Sequence, residues 1–198
     1  MVLCLADAFI GLSLRVVESF QTKAGLALVK SCYEYQVQRI ESGAPRFAPN
    51  STVAGEHQFI NFASILENQR PLDNYWVFLS PQVTDAEWDQ RIALNNYLFD
   101  QNRATFEANQ REALKLRQGS WGPWTRDASD GERRVVNRLA AFDEVVRDPE
   151  SALNRFGVQY FGLRVGESPP SDLTKQKWTQ IQAGPFWQVW ERPAPPGR

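Results

Sequence analysis

The stretch Asp148-Pro-Glu-Ser-Ala-Leu-Asn-Arg-Phe-Gly157-Val-Gln-Tyr-Phe-Gly-Leu-Arg-Val165 decides the fold class. Asp148 is a helix cap residue, and Pro149 fits the first helical position because no helix uses the N–H that proline lacks there. Gly157 can adopt the left-handed conformation that closes a helix. Val158 to Val165 then runs as a strand of β-branched and aromatic residues. A helix that ends in glycine and passes directly into a strand is the joint from which alternating α/β chains are built.

Working toward the N-terminus, Val135, Leu139, Phe142 and Val146 predict a narrow apolar stripe on the preceding helix, opened by a capping box at Ser129-Asp130-Gly131-Glu132. Ser120 to Asp127 reads as a loop holding Trp121 and Trp124. A polar helix over Asn102–Gln118 precedes it, supported by a Glu107–Arg111 pair. A second capping box, Thr84-Asp85-Ala86-Glu87, opens a helix that places Trp88, Ile92, Leu94, Leu98 and Phe99 in one arc, with Asn95 inside it. Tyr75 to Leu79 is a continuous apolar run, the pattern of a strand covered on both faces. Gln58 to Glu67 carries Phe59, Phe62, Ile65 and Leu66 at helical spacing, and Ser51 to Gly55 is a short strand candidate. Helical spacing also runs from Leu14 through Tyr33, Val37 and Ile40 until Gly43-Ala44-Pro45 stops it.

Toward the C-terminus, Trp178–Gln182 and Phe186–Glu191 flank Ala183-Gly184-Pro185, a hairpin signal. The expected architecture is therefore an α/β domain with a small mixed, mostly parallel sheet flanked by helices and closed by a C-terminal β-hairpin. Residues 1–42 form an N-terminal helical segment, 43–192 the α/β domain, and the proline-rich residues 193–198 a disordered tail.

The chain has 198 residues, enough to bury a core, and its 22 basic and 23 acidic side chains give a net charge of -1. That balance excludes the concentrated basic surface of a nucleic-acid binder. Two Cys and one His leave nothing for a disulfide framework or a zinc cage. If the first segment is one helix, Cys4 and Cys32 stand about eight turns apart, too far to bridge. Residues 1–17, Met-Val-Leu-Cys-Leu-Ala-Asp-Ala-Phe-Ile-Gly-Leu-Ser-Leu-Arg-Val-Val, are apolar but shorter than the ~20 residues that cross a bilayer. Two readings of them stand: an amphipathic helix packed on the domain, or the end of a transmembrane helix that begins upstream.

No catalytic signature is present. His57 with Glu56 follows a strand end, where parallel sheets place ligands, so the pair is the candidate acid–base site of a soluble enzyme. The acidic clusters at Asp85, Glu87, Asp89 and at Asp127, Asp130, Glu132 sit at helix starts, where the backbone dipole accounts for them, and no metal site is expected. Trp121 and Trp124 are the candidate faces for a sugar in a carbohydrate-binding module, whereas Trp187 and Trp190 read as core. Arg133, Arg134, Arg138 and Arg147, diluted by acids, predict a solvated face. Gly162 inside a strand marks a close-packing point.

Four segments share a pattern: Gly43-Ala-Pro-Arg-Phe-Ala-Pro-Asn-Ser-Thr-Val-Ala-Gly55 before a helix, Gln69-Arg-Pro-Leu-Asp-Asn-Tyr75 before an apolar run, Asn154-Arg-Phe-Gly-Val-Gln-Tyr-Phe161, and Gly184-Pro-Phe-Trp-Gln-Val-Trp-Glu191. Over about residues 40 to 192 this resembles the C-terminal extracytoplasmic domain of bacterial polytopic membrane proteins related to GT-C type glycosyltransferases. The resemblance implies a non-catalytic accessory domain on the extracytoplasmic side of the inner membrane. Its partners would be the protein's own transmembrane bundle or the membrane surface, with a glycan or lipid-linked sugar nearby and no cofactor. The family's catalytic acids lie in loops of the membrane portion; no stretch here matches that portion, so no catalytic residue carries over.

Overall fold

In a computed structural model of the chain, Gly157 takes φ +62 and joins helix to strand as its sequence predicts. The structure describes residues 23–43, 46–73, 82–117, 128–171, 173 and 177–193. In chain order the elements are α1 (Lys23–Ser42), β1 (Thr52–Gly55), α2 (His57–Leu66), β2 (Arg70–Pro71), α3 (Asp85–Leu98), α4 (Arg103–Arg117), α5 (Ala128–Arg147), α6 (Pro149–Phe156), β3 (Val158–Arg164), β4 (Thr179–Ala183) and β5 (Trp187–Glu191). The strands form one sheet in the order β2-β1-β3-β5-β4. β1 pairs parallel with β2 and β3, while β3–β5 and β5–β4 are antiparallel. The chain is thus an α/β fold with a mixed sheet flanked by helices and a C-terminal hairpin.

Alternation along the strands divides the core in two. Val53 and Tyr160 join Tyr35, Phe59, Phe62, Trp187 and Val189 on the α1–α2 side. Their neighbours Ala54 and Phe161 join Trp88, Ile92, Leu98, Phe142 and Leu153 on the side of α3, α5 and α6. Period-two side chains therefore face helices on both sides, as a central strand requires. Phe106 of α4 stacks on Phe142 at 4.6 Å between ring centroids, which fixes α4 behind α5.

β1 and β3 meet at two glycines, Gly55 opposite Gly162. Asn95 reaches over from α3 and treats Gly55 as a strand neighbour would: its Oδ1 accepts from Gly55 N at 2.9 Å and its Nδ2 donates to Gly55 O at 3.1 Å. This explains a polar residue in the apolar arc of α3.

Several sequence expectations shift by a residue or a face. Val145, not Val146, completes the buried stripe of α5, and Val146 is exposed. Ile65 is likewise exposed on α2, whose packed face runs through Phe59, Phe62, Ala63 and Leu66. Val145 and Val146 follow Phe142 by three and four residues, and Ile65 and Leu66 follow Phe62 by the same steps, so both spacings satisfy the helical repeat and the packing partner selects the packed member of each pair. Val145→Ala should therefore cost ~1–3 kcal/mol in chemical denaturation. Val146→Ala should stay within ~0.5 kcal/mol, and equal costs would contradict this helix face. α5 begins at Ala128, so Ser129 lies inside the helix rather than capping it. The Thr84 hydroxyl does cap α3, accepting from Glu87 N at 3.2 Å, but the Glu87 carboxylate turns to Arg91 at 2.7 Å instead of reaching back. The strand expected at Tyr75–Leu79, residues 1–17 and the tail from residue 194 lie outside the described residues.

Candidate functional site

The carboxyl ends of the parallel strands place the two acid–base candidates. The N–H of Glu56 donates to Gly162 O at 2.9 Å, which continues the β1–β3 ladder one residue past the strand. Glu56 then caps α2: its Oε2 accepts from Gln58 N at 2.8 Å and Phe59 N at 3.0 Å. That carboxylate is committed to the first turn of its own helix. His57 follows in that turn, exposed, and no hydrogen bond or ion pair joins it to an acid among the described residues. The structure brings Glu56 and His57 to one strand end without making them a pair. A cavity of about 150 Å³ lies beside α6 instead, walled by Gln90, Glu144, Asp148, Ser151, Arg155 and Phe156 among others, with His57 not among its walls. No group of three or more His, Cys, Asp or Glu able to hold a metal ion occurs among the described residues.

The residue at this end that sequence reasoning missed is Arg164, the last of β3. Its guanidinium lies 4.5 Å from the centroid of the Trp187 ring, its cross-strand neighbour in β5. Nη1 donates to Glu34 Oε2 at 2.8 Å, and Nη2 donates to Ser31 Oγ at 2.6 Å and to Gln58 Oε1 at 3.2 Å. Arg164 therefore fastens α1 to the end of the sheet. The available signal was a single charged residue closing a strand that is otherwise apolar but for Gln159.

A second fastening lies one to two turns further along α1. Gln38 Nε2 donates to Trp187 O at 3.0 Å, and its Oε1 accepts from Trp187 N at 2.7 Å and Phe186 N at 3.0 Å. Gly184 leaves room for that amide: a Cβ there would stand 2.0 Å from Gln38 Cδ. Arg39 and Glu67 pair at 2.7 Å, tying α1 to the end of α2.

These contacts turn the helix over relative to its pattern. Among the side chains of α1 that the structure describes, Ser31, Glu34, Tyr35 and Gln38 are buried, three of them polar. The stripe Tyr33–Val37–Ile40, which carries the helical spacing, points away from the sheet, with Tyr33 69% and Ile40 82% exposed and Val37 half-buried between them. Helical periodicity reports that a helix has an apolar side, not which neighbour that side meets. Here hydrogen bonds to the hairpin backbone and to Arg164 secure the polar side inward, leaving the apolar side out.

The charged residues of α3 and α5 differ from expectation in the opposite sense. Arg138 is 7% and Asp89 2% exposed, so this part of the arginine face is interior. Arg138 Nε donates to Asp89 Oδ1 at 3.1 Å and its Nη1 to Gln110 Oε1 at 2.6 Å. Arg134 approaches Asp89 at 3.1 Å and pairs with Asp85 at 2.6 Å. Burial pushes the Asp89 carboxyl above the ordinary carboxylate range, against the pull of Arg134 and Arg138. Arg133 and Arg147 are exposed, as predicted. The cluster clamps α3, α4 and α5 together, so the helix dipole alone does not account for Asp89.

Trp121 and Trp124 lie outside the described residues, as does Cys4; Cys32 is a free, half-buried thiol. Trp187 is fully buried and Trp190 packs on the second core, both as core residues. Among the described residues no helix is long and apolar enough to cross a membrane. Compared with family models, with curated protein sequences and with solved structures, the chain matches none.

Proposed function

We propose that this chain is an accessory, non-catalytic domain of a bacterial integral membrane protein, held on the extracytoplasmic side of the inner membrane with the outer face of α1 docked on the membrane portion. The observation that carries the reading is the reversed amphipathicity of α1, whose polar residues face the sheet while Tyr33, Val37 and Ile40 face outward. An aliphatic side chain as exposed as Ile40 forgoes ~1.5–3 kcal/mol of burial, which a covering partner would recover. Tyr33 and Ile40, with half-buried Val37 between them, offer that partner one apolar side of the helix. The apolar residues 1–17 lie upstream of the same helix, and the net charge of -1 asks for no electrostatic attraction to a membrane. The resemblance to domains of GT-C related proteins makes a lipid-linked sugar the substrate class handled by the membrane portion. In this reading the domain positions that portion and supplies no reacting group.

Fractionation of cells expressing the natural gene product tests the proposal. The protein is expected in the inner-membrane fraction, accessible to protease from the outer side of that membrane. Recovery as a free protein in the cytosolic fraction would overturn it.

A further inference from the structure

We infer that α1 is seated on the β4–β5 hairpin through one buried water molecule, bound between the Tyr35 hydroxyl and the side-chain carbonyl of Gln182. A cavity between α1, α2 and the hairpin leaves about 10 Å³ of space open to the centre of a water molecule, walled by Tyr35, Gln38, Arg39, Gly43, Phe59 and Gln182. Tyr35 Oη and Gln182 Oε1 are buried and have no hydrogen-bond partner among the described residues. Each such atom left unpaired costs roughly 1–3 kcal/mol, so two of them on residues that wall one small cavity call for a common partner.

The chemistry of the walls specifies that partner. Tyr35 is 3% exposed. Burial, then the nearby Glu67, push its hydroxyl well above the usual tyrosine range against the opposing pull of Arg39, so it stays protonated and has a hydrogen to donate. Gln182 donates its Nε2 to Gly43 O at 2.8 Å, which leaves Oε1 as the acceptor. A molecule that both accepts from an O–H and donates to a C=O joins them, and water does so. Arg39 in the wall is already paired with Glu67, and anything larger than water exceeds the space. The volume sits at the lower limit of about 10–15 Å³ that holds one water, which needs two to four polar partners. Gln38, the other side-chain amide of the wall, turns to the hairpin backbone, its Oε1 accepting from Phe186 N and Trp187 N and its Nε2 donating to Trp187 O. The seam between α1 and the hairpin thus combines the direct bonds of Gln38 with one hydrated bond a turn away. This site stands or falls separately from membrane docking.

A crystal structure that resolves ordered water tests it directly. One oxygen is expected within about 2.6–3.2 Å of both Tyr35 Oη and Gln182 Oε1. An empty space between the two atoms, or a direct hydrogen bond from Tyr35 to Gln182, would overturn it. Stability gives an independent readout through Tyr35→Phe, Gln182→Leu and the double variant. If both residues hold one water, the second substitution should matter about five-fold less in the unfolding constant once the first is made. Effects that multiply to within about two-fold would contradict a shared water.

Discussion

Gly162→Ala is expected to cost more than ~4 kcal/mol, beyond the usual range for a point change. A Cβ at Gly162 would stand 1.8 Å from Phe59 Cδ1 and 2.1 Å from Cε1. Overpacking a core ordinarily costs ~1–3 kcal/mol because neighbours give way. Phe59 has little freedom to do so: it is fully buried, and its ring lies 6.0 Å from that of Tyr35, 5.6 Å from Trp187 and 6.4 Å from Phe47. Across the ladder, Gly55 lies opposite Gly162 and is held by two hydrogen bonds to Asn95, so the β1–β3 backbone cannot shift at this point without disturbing them. Against a typical total of ~5–15 kcal/mol, the substitution should leave the chain largely unfolded or sharply lower its urea midpoint. Phe59→Leu, introduced with Gly162→Ala, should recover part of the loss by removing the obstructing ring edge. A midpoint unchanged by Gly162→Ala alone would show that β1, β3 and α2 do not approach as described.

Arg138→Ala is the second large effect, expected at ~3–5 kcal/mol because it breaks a buried ion pair and strands its partner. Asp89 would keep only Arg134 on the same oxygen, and Gln110 Oε1 would lose its donor. The intact cluster is a costly arrangement that works only when complete. A paired change, Asp89→Leu with Arg138→Met, should accordingly be far milder than Arg138→Ala. The pH dependence follows from the raised Asp89 carboxyl. Its folded-state pKa lies above the unfolded value of ~3.9, so folding takes up a proton in the window between the two. The contribution is complete below the unfolded value and is lost as pH rises through the folded one. Lowering the pH through the carboxylate range should therefore shift stability in favour of the native chain relative to Asp89→Asn. A difference that moves the other way would contradict the direction assigned to Asp89.

Local grammar carried the fold from the sequence. Asp148, Pro149 and Gly157 act on their own backbone, so their roles needed no knowledge of tertiary contacts, and the hairpin around Gly184 was legible for the same reason. Legibility failed where a residue's partner lies far along the chain. Arg164 meets Ser31 and Glu34, and Arg138 meets Asp89, across separations that no window of sequence spans. Val145 and Val146 are one helical step apart, and the pattern alone could not decide between them. The candidate site depends on such contacts as well. His57 and Glu56 were placed correctly at a strand end, but the cap that occupies Glu56 is formed by amides of the following turn. The stripe on α1 was recognised as apolar, yet its direction depends on Gln38 finding the backbone of Trp187, a contact no periodicity records.

In the proposed reading this outward stripe faces an apolar partner. A polarity-sensitive fluorophore attached through a cysteine at Ile40, in the natural protein within its own membranes, measures that environment most directly. The label should emit at the blue-shifted wavelength of a covered, water-poor site, and Tyr33→Asp in the same protein should return it toward the solvent value. A label at Ile40 that emits as it does at the exposed Val146 of the same protein would contradict the docking of α1.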